Sequence, residues 1–161
     1  ECRVGFKYVT AAMDEIDAVL GGESSGGLTV RGWIKGKDGI YACALVVEML
    51  ARTGKRISEL RELIYGITGR LYALDESVAA TPEMRVAVPR RLEAEPLTHI
   101  GPYPVVGISH LDGTKILLDN DNWALLRFSG TEPALRLFVE GDSPEKAAEL
   151  LEWLRGFVTA G

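Results

Sequence analysis

The stretch from residue 104 to residue 158 limits the possible folds more than any other part of the chain. Three apolar runs, at 104–109, 114–118 and 123–128, are separated only by the four residues 110–113, which include Asp112-Gly113, and by Asp119-Asn120-Asp121-Asn122. Turn residues set that close together join neighbouring antiparallel strands. Leu135, Leu137 and Val139 then alternate in a fourth strand, and Ser143-Pro144 starts a helix. Along that helix Ala147, Leu150, Leu151, Leu154 and Val158 recur at helical spacing, so one face must pack on the sheet. Upstream, residues 71–78 read as a further strand. Thr81-Pro82-Glu83 reads as a helix start, and Pro89 is expected to interrupt or kink that helix. Strand, helix, several strands, helix is most economically an antiparallel sheet with helices on one face, which is α+β in class.

The first part of the chain reads differently. A short strand is expected over 3–9 and a helical passage over 11–19, then a glycine loop and a strand over 28–34. From Gly39 the spacing of Ile40, Ala44, Val47 and Ala51 predicts an amphipathic helix that stops at Gly54. Ser58 is expected to cap another, with Leu60, Leu63, Ile64 and Ile67 along its apolar side. The boundary is placed near residues 66–69, giving domains 1–68 and 69–161.

Composition excludes several classes of function. The chain has 161 residues, 47% of them apolar, and a formal charge of −5, with a pI near 5.1. That balance argues against a nucleic-acid binder, whose surface is usually basic. No apolar run is long enough to cross a bilayer and no signal peptide opens the chain, so no membrane partner is expected. Cys2 and Cys43 are too few for a disulfide framework or a zinc site and read as reduced thiols of a cytoplasmic protein. His99 and His110 lack acidic or thiol partners at metal-ligand spacing. Asp119 and Asp121 read as part of a hairpin turn, and the scattered Trp33, Trp123 and Trp153 as packing residues.

Two loops carry chemistry. In Arg127-Phe128-Ser129-Gly130-Thr131-Glu132-Pro133-Ala134-Leu135-Arg136, two hydroxyls, a permissive glycine and two guanidinium groups gather on one bend. Gly130 would let successive N–H groups face one anion, with Ser129 and Thr131 adding short donors and Arg127 and Arg136 adding charge. A phosphate ester is the natural guest. In Gly21-Gly22-Glu23-Ser24-Ser25-Gly26-Gly27, four glycines surround a carboxylate and two hydroxyls, groups suited to sugar hydroxyls.

Together these loops resemble the alpha-D-phosphohexomutase family, the phosphoglucomutases and phosphomannomutases. Val4-Gly5-Phe6-Lys7-Tyr8-Val9 resembles the entry to the latter half of the family's third domain, and Gly22-Glu23-Ser24-Ser25-Gly26 its sugar-specificity loop. Lys37-Asp38-Gly39-Ile40 comes next in the expected place, and 127–133 is similar to the phosphate-binding loop of the fourth domain. The resemblance implies an incomplete three-layer α/β domain followed by a TATA-binding-protein-like antiparallel sheet packed with helices. It implies that Arg127, Ser129, Gly130, Thr131 and Arg136 clamp phosphate, that Glu23 and Ser25 bond ring hydroxyls, and that Lys7 and Lys37 are secondary contacts. The family's phosphoserine segment and its aspartate-rich metal loop are not found in this sequence. The expectation is therefore a C-terminal part of a phosphohexomutase, most consistent with glucose as the sugar and inactive alone. Its Mg2+ site and the other domains would lie elsewhere in the enzyme, and a hexose bisphosphate would serve as activator and intermediate. The exposed edge of the incomplete domain would favour self-association. A non-catalytic sugar-phosphate-binding module is the alternative reading.

Overall fold

The computed structural model describes residues 1–94 and 97–159, and the chain divides into two units, Glu1–Thr68 and Gly69–Gly161. The first unit opens with a helix, α1 (Phe6–Ile16), where the sequence pattern suggests a strand over 3–9. Seven residues are too few for periodicity to separate the two, and packing decides for the helix. One turn apart on α1, Val9 and Met13 lie so close over Gly21 that a Cβ there would collide with Met13 Sδ and would meet Val9 Cγ1 at 2.7 Å. Gly21 belongs to β1 (Leu20–Gly22), which pairs antiparallel with β2 (Leu28–Val30), so this unit contains a two-stranded hairpin. β2 ends four residues short of the expected 34, because Trp33 N–H turns back to the Val30 carbonyl at 3.1 Å.

The next two helices obey local rules closely. α2 (Gly39–Thr53) starts where the Asp38 carboxylate accepts from Tyr41 N–H at 2.9 Å, and ends at Gly54, whose φ of 63° is the left-handed conformation glycine tolerates best. α3 (Ile57–Thr68) is capped differently from expectation. Glu59, not Ser58, closes its start, accepting from Arg56 N–H at 2.7 Å, while Ser58 lies inside the first turn. Neither helix has a buried residue, and Ile40, Val47, Leu63, Ile64 and Ile67 are all exposed. Among the described residues of this unit only Val9 and Thr29 are buried.

The second unit is built around a six-stranded antiparallel sheet. Its strands are β3 (Tyr72–Ala79), β4 (His99–Ile100), β5 (Tyr103–Ser109), β6 (Thr114–Leu118), β7 (Trp123–Phe128) and β8 (Ala134–Gly141), in the order β3-β8-β7-β6-β5-β4. Between β3 and β4 comes α4 (Pro82–Ala94), capped by Thr81 Oγ1 accepting from Met84 N–H at 3.3 Å and continuing past Pro89 rather than ending there. After β8, Ser143 Oγ accepts from Lys146 N–H at 3.1 Å and starts α5 (Pro144–Thr159). Side chains alternate across a strand, so one sheet face carries Ile116, Leu118, Ala124, Leu126, Leu135, Leu137 and Val139 into the core. That face meets Ala147, Leu150, Leu151, Leu154 and Val158 of α5 and Val88 of α4. The tetrapeptide 119–122 is a hairpin turn between β6 and β7, with Asn120 and Asp121 both at positive φ. Its Asn122 is buried and knots the turn to Asp142, the residue after β8. The Asn122 amide donates to the Asp119 carbonyl at 2.6 Å and its oxygen accepts from Asp142 N–H at 2.6 Å.

Candidate functional site

β7 and β8 are joined by the hydroxyl-bearing bend 129–133, and the pairing register decides what lies beneath it. Arg127 and Arg136 are direct cross-strand partners on the face opposite the core. Two guanidinium groups side by side on a sheet repel unless anions separate them. Here carboxylates do so: Asp112 is 3.4 Å from Arg127 Nη1, and Glu132 is 2.6 Å from Arg136 Nη2. Ser77 of β3 accepts from Arg136 Nη1 at 2.5 Å. Arg127 Nε is buried without a hydrogen-bond partner, so the group keeps spare donor capacity. Each of the two guanidinium groups thus faces one carboxylate.

The bend differs from expectation in two respects. Gly130 is not in the left-handed region, and a Cβ added to it would meet nothing within 4 Å, so the turn does not require glycine there. What Gly130 provides is an open approach to the backbone. The amides of Thr131 and Glu132 do converge, but on Ser129 Oγ, at 3.3 and 3.1 Å, with Thr131 Oγ1 3.5 Å from the same atom. An incoming anion would compete with Ser129 for those donors.

Arg85 of α4 joins the bend without any signal in the sequence. Its Nη2 donates to the carbonyls of Ser129 at 3.3 Å and Glu132 at 3.5 Å, and its guanidinium lies 5.1 Å from the Phe128 ring centre. It pins both ends of the bend from the helix side. Helical spacing does not distinguish Arg85 from Arg90 or Arg91 on the same helix, so only the fold reveals it.

In the first unit, the glycine loop is the tip of the β1–β2 hairpin. Gly26 N–H donates to the Glu23 carbonyl at 2.9 Å, Glu23 N–H to the Gly27 carbonyl at 2.9 Å, and Gly26 supplies the positive φ of 86°. Gly26 thus serves the loop's own geometry. The Glu23 carboxylate meets Lys37 Nζ at 2.5 Å and Ser25 Oγ at 3.5 Å. Lys37, first as a hydrogen-bond donor and then through its charge, holds the Glu23 carboxyl below the usual carboxylate range, against an opposing contribution from partial burial. The backbone of Gly5 and the Ser25 hydroxyl lower it further. The two lysines therefore separate: Lys37 joins Glu23, whereas Lys7 lies over the Tyr8 ring at 4.9 Å.

The remaining candidates are structural. His99 is exposed on edge strand β4, and His110 lies 3.5 Å from Thr114 Oγ1. Trp33 stacks on Tyr41 with ring centres 4.3 Å apart, yet is 46% exposed and so belongs to no core. Both cysteines are free thiols. Among the described residues no group of three or more His, Cys, Asp or Glu side chains could hold a metal ion, and no helix is long and apolar enough to cross a membrane.

Comparison with known proteins bears on both units. Residues 1–66 match the family profile described as phosphoglucomutase/phosphomannomutase, alpha/beta/alpha domain III, and residues 83–155 match phosphoglucomutase/phosphomannomutase, C-terminal domain. A phosphoglucomutase/phosphomannomutase of Thermococcus kodakarensis is 34% identical over 93% of this chain, and a phosphoglucosamine mutase of Nautilia profundicola 33% identical over 96%. The chain spans 30% of the length of each. A crystal structure of a phosphoglucomutase/phosphomannomutase family protein from Burkholderia thailandensis superposes with a TM-score of 0.75 over 99% of this chain and 32% of its own, at 24% identity, a likeness of fold.

Proposed function

Because the chain belongs to the phosphoglucomutase/phosphomannomutase family, we propose that it is the substrate-holding, C-terminal part of a phosphohexomutase. Such an isomerase interconverts hexose 1-phosphate and hexose 6-phosphate through a phosphoserine and a bisphosphorylated intermediate. In this reading residues 1–68 are the latter half of the third domain and 69–161 the fourth. Arg127, Ser129, Gly130, Thr131 and Arg136 hold the non-reacting phosphate. Glu23 and Ser25 bond the ring hydroxyls, with Lys7 and Lys37 as secondary contacts. The cross-strand pair Arg127 and Arg136 beneath a hydroxyl-bearing bend carries this reading.

Phosphoryl transfer asks the protein mainly for positioning and charge stabilisation, and that is what these loops would contribute. Arg136 would exchange Glu132 for a phosphate oxygen, and Ser129 and Thr131 would donate hydroxyl protons to the others. Glu23, held ionised by Lys37, would accept from a sugar hydroxyl. Mg2+ would stabilise charge at the transferring phosphoryl group, but the described residues do not form a set that fits it, so no step of this chain runs through the metal. Glucose is the proposed sugar, on the Glu23-Ser24-Ser25-Gly26-Gly27 form of the loop, and the two free thiols suit a reducing, cytoplasmic setting. Titrating the chain with glucose 6-phosphate while following backbone amide NMR signals tests the assignment. Shifts at both 23–27 and 129–131 are expected. Shifts at neither loop, or an identical response to glucose lacking phosphate, would refute it.

A further inference from the structure

Backbone carbonyl oxygens repel an anion, so the bend at 129–133 can present donors to one only if its carbonyls are turned elsewhere. Three of them are turned toward α4 and the segment leading into it. The Pro133 carbonyl accepts from Ala80 N–H at 2.9 Å, and Arg85 Nη2 donates to the carbonyls of Ser129 at 3.3 Å and Glu132 at 3.5 Å. Arg85 does this from the core side of the sheet. Its guanidinium lies 5.1 Å from the ring centre of Phe128, which packs against the core, whereas Arg127 and Arg136 are paired on the opposite face.

The direction of one carbonyl fixes that of an amide. In a planar trans peptide the C=O and the N–H point opposite ways, and the Ser129 carbonyl shares its peptide with the Gly130 N–H. Drawing that carbonyl to Arg85 therefore aims the Gly130 N–H away from α4, toward the side on which Arg127 and Arg136 lie. Among the described residues nothing accepts from this N–H, and the space where a Gly130 side chain would project is open. We propose that Arg85 is a positioning residue for phosphate recognition: it holds the Ser129 and Glu132 carbonyls against α4, so that the Gly130 amide faces the anion that the arginine pair attracts. The inference rests on the reading of 127–136 as the phosphate clamp.

Titration with inorganic phosphate, followed by backbone amide NMR, tests it on two variants of the chain. Arg85→Met keeps a good helix former and an apolar stem over Phe128 at an exposed position, but removes the donors. Arg90→Met removes the same charge from the same helix, also at an exposed position. In Arg85→Met the Gly130 amide signal should move before any phosphate is added, and phosphate should bind about fivefold more weakly, the size of one exposed hydrogen bond to a charged group. Arg90→Met should match the unmodified chain in both respects. An unmoved Gly130 signal or undiminished affinity in Arg85→Met would overturn the proposal. Equal weakening in both variants would also overturn it, because charge alone would then account for the effect. Failure of the underlying reading looks different: phosphate would shift no signal at 129–131 in the unmodified chain, and the inference would fall with it.

Discussion

If the 129–133 bend holds phosphate as proposed, removing a negative charge beside it should tighten anion binding, because Glu132 already occupies Arg136 as an anion would. The Glu132 to Arg136 contact is 2.6 Å, but 57% of the Glu132 side chain and 35% of the Arg136 side chain are exposed. An ion pair that solvated contributes on the order of 0.2–1 kcal/mol. Glu132→Gln should therefore bind inorganic phosphate up to about fivefold more tightly. Arg136→Ala should act in the opposite direction. A charged hydrogen bond contributes about 1.5–3 kcal/mol, and exposure places this one at the lower end, so about tenfold weaker binding is expected. Calorimetry with inorganic phosphate at low and moderate salt measures both, and both effects should shrink as salt screens the site. Weaker binding by Glu132→Gln, or unchanged binding by Arg136→Ala, would show that the ion pair is surface decoration and that the anion site lies elsewhere.

Four further outcomes are expected. Asn122→Ala leaves the Asp142 amide without its buried acceptor and takes one of two donors from the Asp119 carbonyl, which keeps the Asn122 N–H, and should lower unfolding stability in urea by roughly 1–3 kcal/mol; a loss within error would contradict the knot. The Tyr103 phenol donates to Glu149 at 2.6 Å, and that bond, with burial, pushes its pKa up to about 12, so its stabilisation is full below the ordinary phenol value of about 10 and is lost as pH rises from there toward 12. Tyr103→Phe should flatten that part of an alkaline stability curve, and an unchanged curve would show that the bond contributes nothing. The exposed apolar faces of α2 and α3 should drive self-association, detectable by sedimentation as species that grow with concentration; a single monomeric boundary at high concentration would contradict this. With Mg2+ and a hexose bisphosphate added, the chain alone should convert no glucose 1-phosphate, and measurable turnover would point to a phosphoryl carrier within these residues.

Local chemistry made much of this protein legible in its sequence. Alternation along Leu135, Leu137 and Val139, the spacing of Leu150, Leu151 and Leu154, and stop signals such as Gly54 each depend on residues close in the chain, so the sheet and its packing helix could be read directly. The family loops were legible for the same reason: each is a continuous segment. Long-range packing decided the rest. Residues 6–9 are helical because Val9 and Met13 close over Gly21, a contact between elements that periodicity in a short segment cannot anticipate. Spacing gave α2 and α3 apolar faces, but spacing states only which side needs burial, and burial needs a partner. Strand register set Arg127 opposite Arg136, and helix placement brought Arg85 to the bend. The 2.5 Å approach of Lys37 to Glu23 likewise joins residues well separated in the chain, across the hairpin, so only the folded chain could show which lysine the carboxylate would take.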